Sequence, residues 1–162
     1  MYDPRPILGV LARHQVRFVV IGGIAGALQG STTITNDFDI CYARDEENLE
    51  RLTAALTEVQ ATLRGVRQPV AFLLEARTLK AGLNFTFDTK YGPFDCLGAV
   101  AGSFDYEQLR RNADDMDLVG TKVSVACLDD LIRMKRAAGR IKDRIEVENL
   151  SALREVRDKR RP

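Results

Sequence analysis

Asp37 and Asp39 lie one residue apart in "TNDFDI", inside a run that reads as a β-strand. Residues i and i+2 of a strand face the same side. The two carboxylates therefore project together, while Phe38 and Ile40 point into the core. Like charges a few ångströms apart repel, and such a pair persists most easily around a cation. Oxygen-only donors suit Mg²⁺ or Mn²⁺. Taken alone, the same pattern would also describe two solvated aspartates at a strand edge. Gly22 and Gly23 change the balance, because they stand between an apolar strand and a short helix of small residues. There they would offer backbone N–H groups, a helix N-terminus and room for a phosphate to come close. A phosphate cradle followed by a metal-binding carboxylate pair is what transfer from a nucleoside triphosphate requires. One cation rides on the triphosphate, and a second can activate an attacking oxygen.

A site of this kind usually has a third carboxylate. Asp95, in "PFDCLG", stands between Phe94 and Cys96 in a short apolar strand, where an uncompensated charge is costly. Asp88, in "FTFDTKYG", is the rival. Thr89 and Lys90 follow it, so it reads as the end of its strand, and Asp95 is preferred. A lysine adds the opposite charge. Leu128, Leu131 and Ile132 mark the buried face of a helix, and Lys135 follows Leu131 by one turn. A lysine beside an apolar stripe either snorkels to solvent or meets a buried anion. Given the other motifs, contact with the triphosphate is the reading adopted for Lys135. The single histidine, His14, reads as a surface residue. No Ser-His-Asp or Cys-His set argues for covalent catalysis. Cys41 shares the parity of Asp39 and reads as a packed small residue bordering the site.

The elements that must position these residues alternate. "PILGVLARHQV" (6–16) predicts a first helix and "VRFVVIGG" (16–23) a buried strand running into a turn. "IAGALQG" (24–30) predicts a short helix, and "DFDICYA" (37–43) a second strand. "DEENLERLTAALTEVQATL" (45–63) is an amphipathic helix with acidic residues at its start. Residues 82–100 read as two strands about a Lys90–Pro93 turn, 104–113 as a short helix, and 116–126 as a hairpin about Gly120. A helix over 127–140, interrupted or ended by Gly139, and a last helix over 142–161, frayed in its charged tail, complete the chain. The order predicts an α/β (α+β) fold with a mixed sheet flanked by helices.

With 162 residues the chain suits a single domain, 1–162, with a core over about 16–126 and C-terminal helices over about 127–158. At 45% hydrophobic and 29% charged the composition is that of an ordinary globular protein. No apolar run reaches the roughly 20 residues of a membrane helix, and the N-terminus shows no signal-peptide pattern. Three cysteines, Cys41, Cys96 and Cys127, without CxxC spacing speak against a disulfide framework or a thiolate metal site, so a reducing cytoplasm is expected. The net charge of +1 hides an asymmetry. Residues 133–162 hold 11 Lys/Arg against 5 Asp/Glu. A basic tail is either a solvated helix or a surface for phosphate or nucleic acid.

Taken together, an apolar strand, Gly22-Gly23, Asp37-x-Asp39 and a later apolar strand carrying Asp95 resemble the nucleotidyltransferase superfamily, the DNA polymerase β-like fold. Thirteen residues separate Gly23 from Asp37, within the span of that motif. "TNDFDI" looks like the family's "T-x-D-[IF]-D" segment, with Thr35 matching. "LIRMKRAAGRIKD" resembles the "K-x-x-A-G-R-x-K-D" segment of minimal and abortive-infection (AbiEii-like) toxin nucleotidyltransferases. There Lys135, Arg140 and Lys142 match basic positions, and Asp143 an acidic one. The chain departs from the pattern twice. Thr33 stands where an arginine often does, and Glu146 where a further aspartate is often found.

The resemblance covers about residues 16 to 150. It implies a nucleoside triphosphate as substrate, with Gly22, Gly23, Thr35, Lys135, Arg140, Lys142 and Asp143 around it. It also implies Asp37, Asp39 and Asp95 around Mg²⁺ or Mn²⁺, and release of pyrophosphate. Relatives modify RNA (notably tRNA 3′ ends), proteins or aminoglycoside antibiotics. The basic tail favours RNA. A toxin would imply an antitoxin partner. A C-terminal helical domain commonly completes the acceptor site in the family, so the short chain raises the alternatives of a homodimer, a partner or an open site. A degenerate module that binds nucleotide or a partner without turnover is the rival reading.

Overall fold

The computed structural model describes residues 2–66, 72–102 and 104–160. Its frame is a seven-stranded mixed sheet built from β1 (Phe18–Ile21), β2 (Phe38–Tyr42), β3 (Thr62–Leu63), β4 (Asn84–Thr89), β5 (Gly92–Leu97), β8 (Asp114–Leu118) and β9 (Thr121–Val125). The strand order is β3-β4-β5-β2-β1-β9-β8. β2 pairs with β5, and β1 with β9, in parallel; the other pairs are antiparallel. A two-stranded ribbon of β6 (Ala99–Val100) and β7 (Phe104–Asp105) lies apart from it. The helices are α1 (Arg5–Arg13), α2 (Gly22–Leu28), α3 (Glu46–Glu58), α4 (Ala76–Ala81), α5 (Tyr106–Asn112), α6 (Leu128–Ala138) and α7 (Ile141–Arg160). This is the α/β arrangement with a mixed sheet that the sequence predicts. No helix among the described residues is long and apolar enough to cross a membrane.

Local chemistry explains most boundaries. α3 starts where the Asp45 side chain accepts the Asn48 N–H, with Glu46 and Glu47 in the first turn. It ends at Glu58, five residues before the end of the predicted helix. Gln60 takes a left-handed φ of 56°, and the chain then turns into the edge strand β3. α5 carries a reciprocal cap between Asp105 and Gln108. α6 ends on Gly139 in the left-handed conformation, whose N–H bonds the Lys135 carbonyl. The β8–β9 hairpin turns on Val119 and Gly120, both at positive φ, and its first strand begins two residues earlier than predicted. The last predicted helical residue, 161, lies outside the described residues.

The core lies under the carboxylate-bearing strands. Phe38 and Phe94, partners in the β2–β5 register, are fully buried and stack with centroids 5.6 Å apart. Ile40 and Cys96 continue the same buried pair. Full burial of a side chain such as phenylalanine stabilises by about 1.5–3 kcal/mol. Strand alternation then puts Asp39 and Asp95 on the opposite face, held in place by what lies beneath them.

Candidate active site

Register brings the carboxylates together. On β2, Asp39 pairs with Ile21 of β1 on one side and with Asp95 of β5 on the other. Asp37 sits in the bend immediately before β2 rather than within the strand. One oxygen from each of Asp37, Asp39 and Asp95 lies within 4.8 Å of the others. Asp88, the rival third carboxylate, faces Pro93 near the end of β4, is exposed, and is not part of this cluster.

The electrostatics of the cluster are those of crowded like charges. Burial, and then the charges of Asp37 and Asp95, push the Asp39 carboxyl up to about 7, against the opposing pull of Lys135 and Arg64. Burial also raises Asp95, while Arg64 beside it acts the other way. Thr35 donates its hydroxyl to Asp37 and fixes that side chain. Three close carboxylates and no nitrogen or sulfur donor form a ligand set that fits Mg²⁺ or Mn²⁺.

Gly22 and Gly23 are the first two residues of α2, not a turn ahead of it. A Cβ on Gly22, which has φ +67°, would stand 2.0 Å from Asp39 Oδ2. One on Gly23 would stand 2.5 Å from the Thr35 Cβ. What comes close to these glycines is the protein's own acidic strand and the segment before it. Only a bare backbone lets the start of α2 sit against Asp39 and Thr35.

The basic residues come from α6 and α7. Lys135 Nζ lies 3.4 Å from Asp143 Oδ1, and Arg140 Nε donates to Asp143 Oδ2 at 2.7 Å. Asp143 is buried. Its burial is more than offset by the hydrogen bond from Arg140 and the charge of Lys135, so its carboxyl is held below the usual range. Gly22, Gly23 and Thr35, the three clustered aspartates, and Lys135, Arg140, Lys142 and Asp143 all line one cleft of about 350 Å³. Leu97, Val100, Leu131 and Met134 give it an apolar stretch.

No protein-family model and no curated protein matches the chain. Solved structures do. The lincosamide antibiotic adenylyltransferase LnuA, in its lincomycin-bound crystal structure, superposes with a TM-score of 0.61 at 13% identity, over 92% of this chain and 94% of that one. The Thermotoga maritima nucleotidyltransferase-type protein TM1012 gives 0.55 at 19% identity, over 99% and 97%. ANT(2")-Ia in complex with adenylyl-2"-tobramycin gives 0.56 at 15%, over 96% and 95%. The chain has the nucleotidyltransferase fold.

Within that nucleotidyltransferase fold, the two departures from the family pattern meet each other. Thr33 donates its hydroxyl to Glu146, and Ser31 donates to the same carboxylate at 2.9 Å. Glu146 is buried, and its longer side chain reaches back to the loop before β2. His14 lies elsewhere, with Nε2 2.7 Å from Glu58 Oε2. Cys41 is buried, as expected of a packed small residue. The basic tail is partly engaged: Arg154 meets Asp129 at 3.2 Å, and Arg157 donates to the Gln29 carbonyl at 2.7 Å and to its side chain at 2.8 Å.

One site residue, Arg64, and one neighbour of the cluster, Tyr2, escape the sequence reading. Arg64 donates to Asp95 Oδ1 from just beyond β3. The alternation Thr62-Leu63-Arg64 is the available signal, masked because the predicted helix runs on to Leu63. Tyr2 packs its ring on Gly92, and its hydroxyl is buried with no hydrogen-bond partner among the described residues. Burial, and then the charge of Asp37, push that phenol well up. Nothing in the sequence marks Tyr2.

Proposed function

We propose that the chain is a metal-dependent nucleotidyltransferase. The observation that carries this reading is the meeting of Asp37, Asp39 and Asp95 within 4.8 Å in a cleft that Lys135 also lines. Asp37, Asp39 and Asp95 would hold Mg²⁺ or Mn²⁺, which when bound neutralises the triphosphate and activates the attacking oxygen. Lys135 gives up Asp143 in part to meet the triphosphate, with Arg140 and Lys142 beside it. The N–H groups at the start of α2 face the same anion. An acceptor hydroxyl attacks the α-phosphorus, its proton passes to Asp95, and the bond to the β-phosphate oxygen breaks to release pyrophosphate.

For the acceptor, RNA (with tRNA 3′ ends foremost) or protein follows from the toxin-type segment 135–143, and an antitoxin partner follows only if that subtype holds. A second reading has its own support. Two of the structural neighbours carry lincomycin or an adenylylated tobramycin, and part of the basic tail is spent on internal contacts. An antibiotic acceptor is therefore the alternative. The test is transfer of α-³²P from each ribonucleoside triphosphate, with Mg²⁺, to total RNA, cell protein and a panel of lincosamides and aminoglycosides. Label on one class, absent with Asp37→Ala/Asp39→Ala protein, establishes enzyme and acceptor together. Nucleotide binding without label on any class favours the degenerate module.

A further inference from the structure

Arg64 is the one cation bonded directly to the acidic cluster among the described residues. Its placement is built in. The Arg64 backbone N–H bonds the Thr86 carbonyl at 2.9 Å, and Thr86 is the register partner of Asp95. β3 thus adds an edge to the sheet that carries Arg64 across β4 to the third carboxylate. The two side chains are 30% and 17% exposed, so water screens the pair only in part. Asp88 lies on the same sheet face, two residues from Thr86, yet the guanidinium takes Asp95. Arginine stays charged at any working pH. Asp95 therefore carries a tethered counter-ion, and among the described residues Asp37 and Asp39 do not.

The geometry points to Arg64 as a built-in competitor for the cation at Asp95, so that the two cations load in order. This rests on the metal-dependent reading above. A cation held by Asp37 and Asp39 would displace no cation bonded to them among the described residues, where Arg64 acts only through space. A cation at Asp95 must work against Arg64, so the position that activates the acceptor fills last. Arg64 is a positioning residue: it acts through Asp95 and touches no reacting atom.

The test is Mn²⁺ binding to the nucleotide-free full chain, read as free Mn²⁺ by electron paramagnetic resonance. Arg64→Gln should tighten the weaker Mn²⁺ site by on the order of tenfold, the size expected for removing one charge-assisted contact of about 1.4 kcal/mol. Arg64→Lys, which keeps the charge, should stay near wild type. In an Asp95→Asn background Arg64→Gln should change nothing, because the effect runs through Asp95. In the unmutated chain, the Arg64 guanidinium NMR signals should move on adding Mg²⁺, a readout that needs no variant to fold. Equal or weaker Mn²⁺ binding by folded Arg64→Gln protein, with Asp39→Asn still abolishing binding, overturns the role of Arg64 and leaves the metal site standing. No Mn²⁺ binding by wild-type protein overturns both.

Discussion

The two charged walls of the cleft are built on opposite plans. On the strand side, three carboxylates are crowded together, and among the described residues only Asp95 has a direct cationic partner. On the helix side, Lys135 and Arg140 close on a buried Asp143 that both satisfy. The first wall is unfavourable as it stands and improves when a cation arrives. The second is complete by itself and must loosen to take a new anion. The difference teaches where binding energy is stored. The acidic wall gains from its ligand, whereas the basic wall exchanges one partner for another. The largest expected effect follows. Asp37→Ala or Asp39→Ala should lower nucleotidyl transfer by about 10³-fold or more, the size of losing several kcal/mol of charge stabilisation. Initial rates with the accepted polymer or antibiotic measure it. A loss under tenfold would mean that the acidic wall does not hold the catalytic cation.

The basic wall should break differently. Asp143→Ala leaves Lys135 and the largely exposed Arg140 without the buried carboxylate that holds them, and losing that partly screened contact should cost on the order of 1 kcal/mol. A thermal melt should show that loss without nucleotide and recover much of it with a saturating non-hydrolysable triphosphate, which supplies the missing anion. The acidic-wall variants should show the reverse. They should fold as well as wild type or better, and gain nothing from Mg²⁺. If both walls responded alike to nucleotide and Mg²⁺, the contrast between them would fail.

How much of this was legible in the sequence depended on whether the cause was local. The α3 and α6 stripes, the β1 and β2 strands and the Asp37–Asp39 pair are written in spacings of two to four residues; the elements appear in the predicted order, with α3 ending early and Asp37 just outside β2. The role of Arg64 depends on β3 pairing with β4 and β4 with β5, which joins residues 31 apart. Thr33 and Glu146 were each legible as a departure from the family pattern, but their contact spans 113 positions. Gly22 and Gly23 stand out in the sequence by their place between a strand and a helix. The pattern suggested room for phosphate, and the structure adds the close approach of Asp39 and Thr35. A pair of substitutions separates simple turn glycines from these. Gly120→Ala meets open space, so it carries only the positive-φ penalty of about 1 kcal/mol. Gly22→Ala adds a clash with Asp39 on top of its own positive φ, and should cost about 3 kcal/mol in denaturant melts while weakening Mn²⁺ binding.

The smallest effect is a pH dependence that belongs to the acidic wall alone. Folding raises the Asp39 carboxyl from 3.8 to about 7 through burial and the neighbouring carboxylates. Between those values the folded chain holds a proton that the unfolded chain has released. The folded state binds more protons there, so this group's contribution to stability falls as pH rises from about 4 to 7 and levels off above. Mg²⁺ reverses the balance by favouring the ionised form. Its stabilisation should therefore be small at pH 5 and grow through pH 7, reaching on the order of 5 °C in melting temperature at pH 8. Asp39→Asn removes its own share of the slope, leaving that of the raised Asp95, and removes the Mg²⁺ response. Asp143, held ionised by Lys135 and Arg140, adds nothing in this window, because its carboxyl lies below the usual range. Melts across pH 5–8 with and without Mg²⁺, in wild-type and Asp39→Asn protein, read the two walls separately. A Mg²⁺ effect that is flat with pH, or that survives Asp39→Asn, would place the cation somewhere other than this cluster.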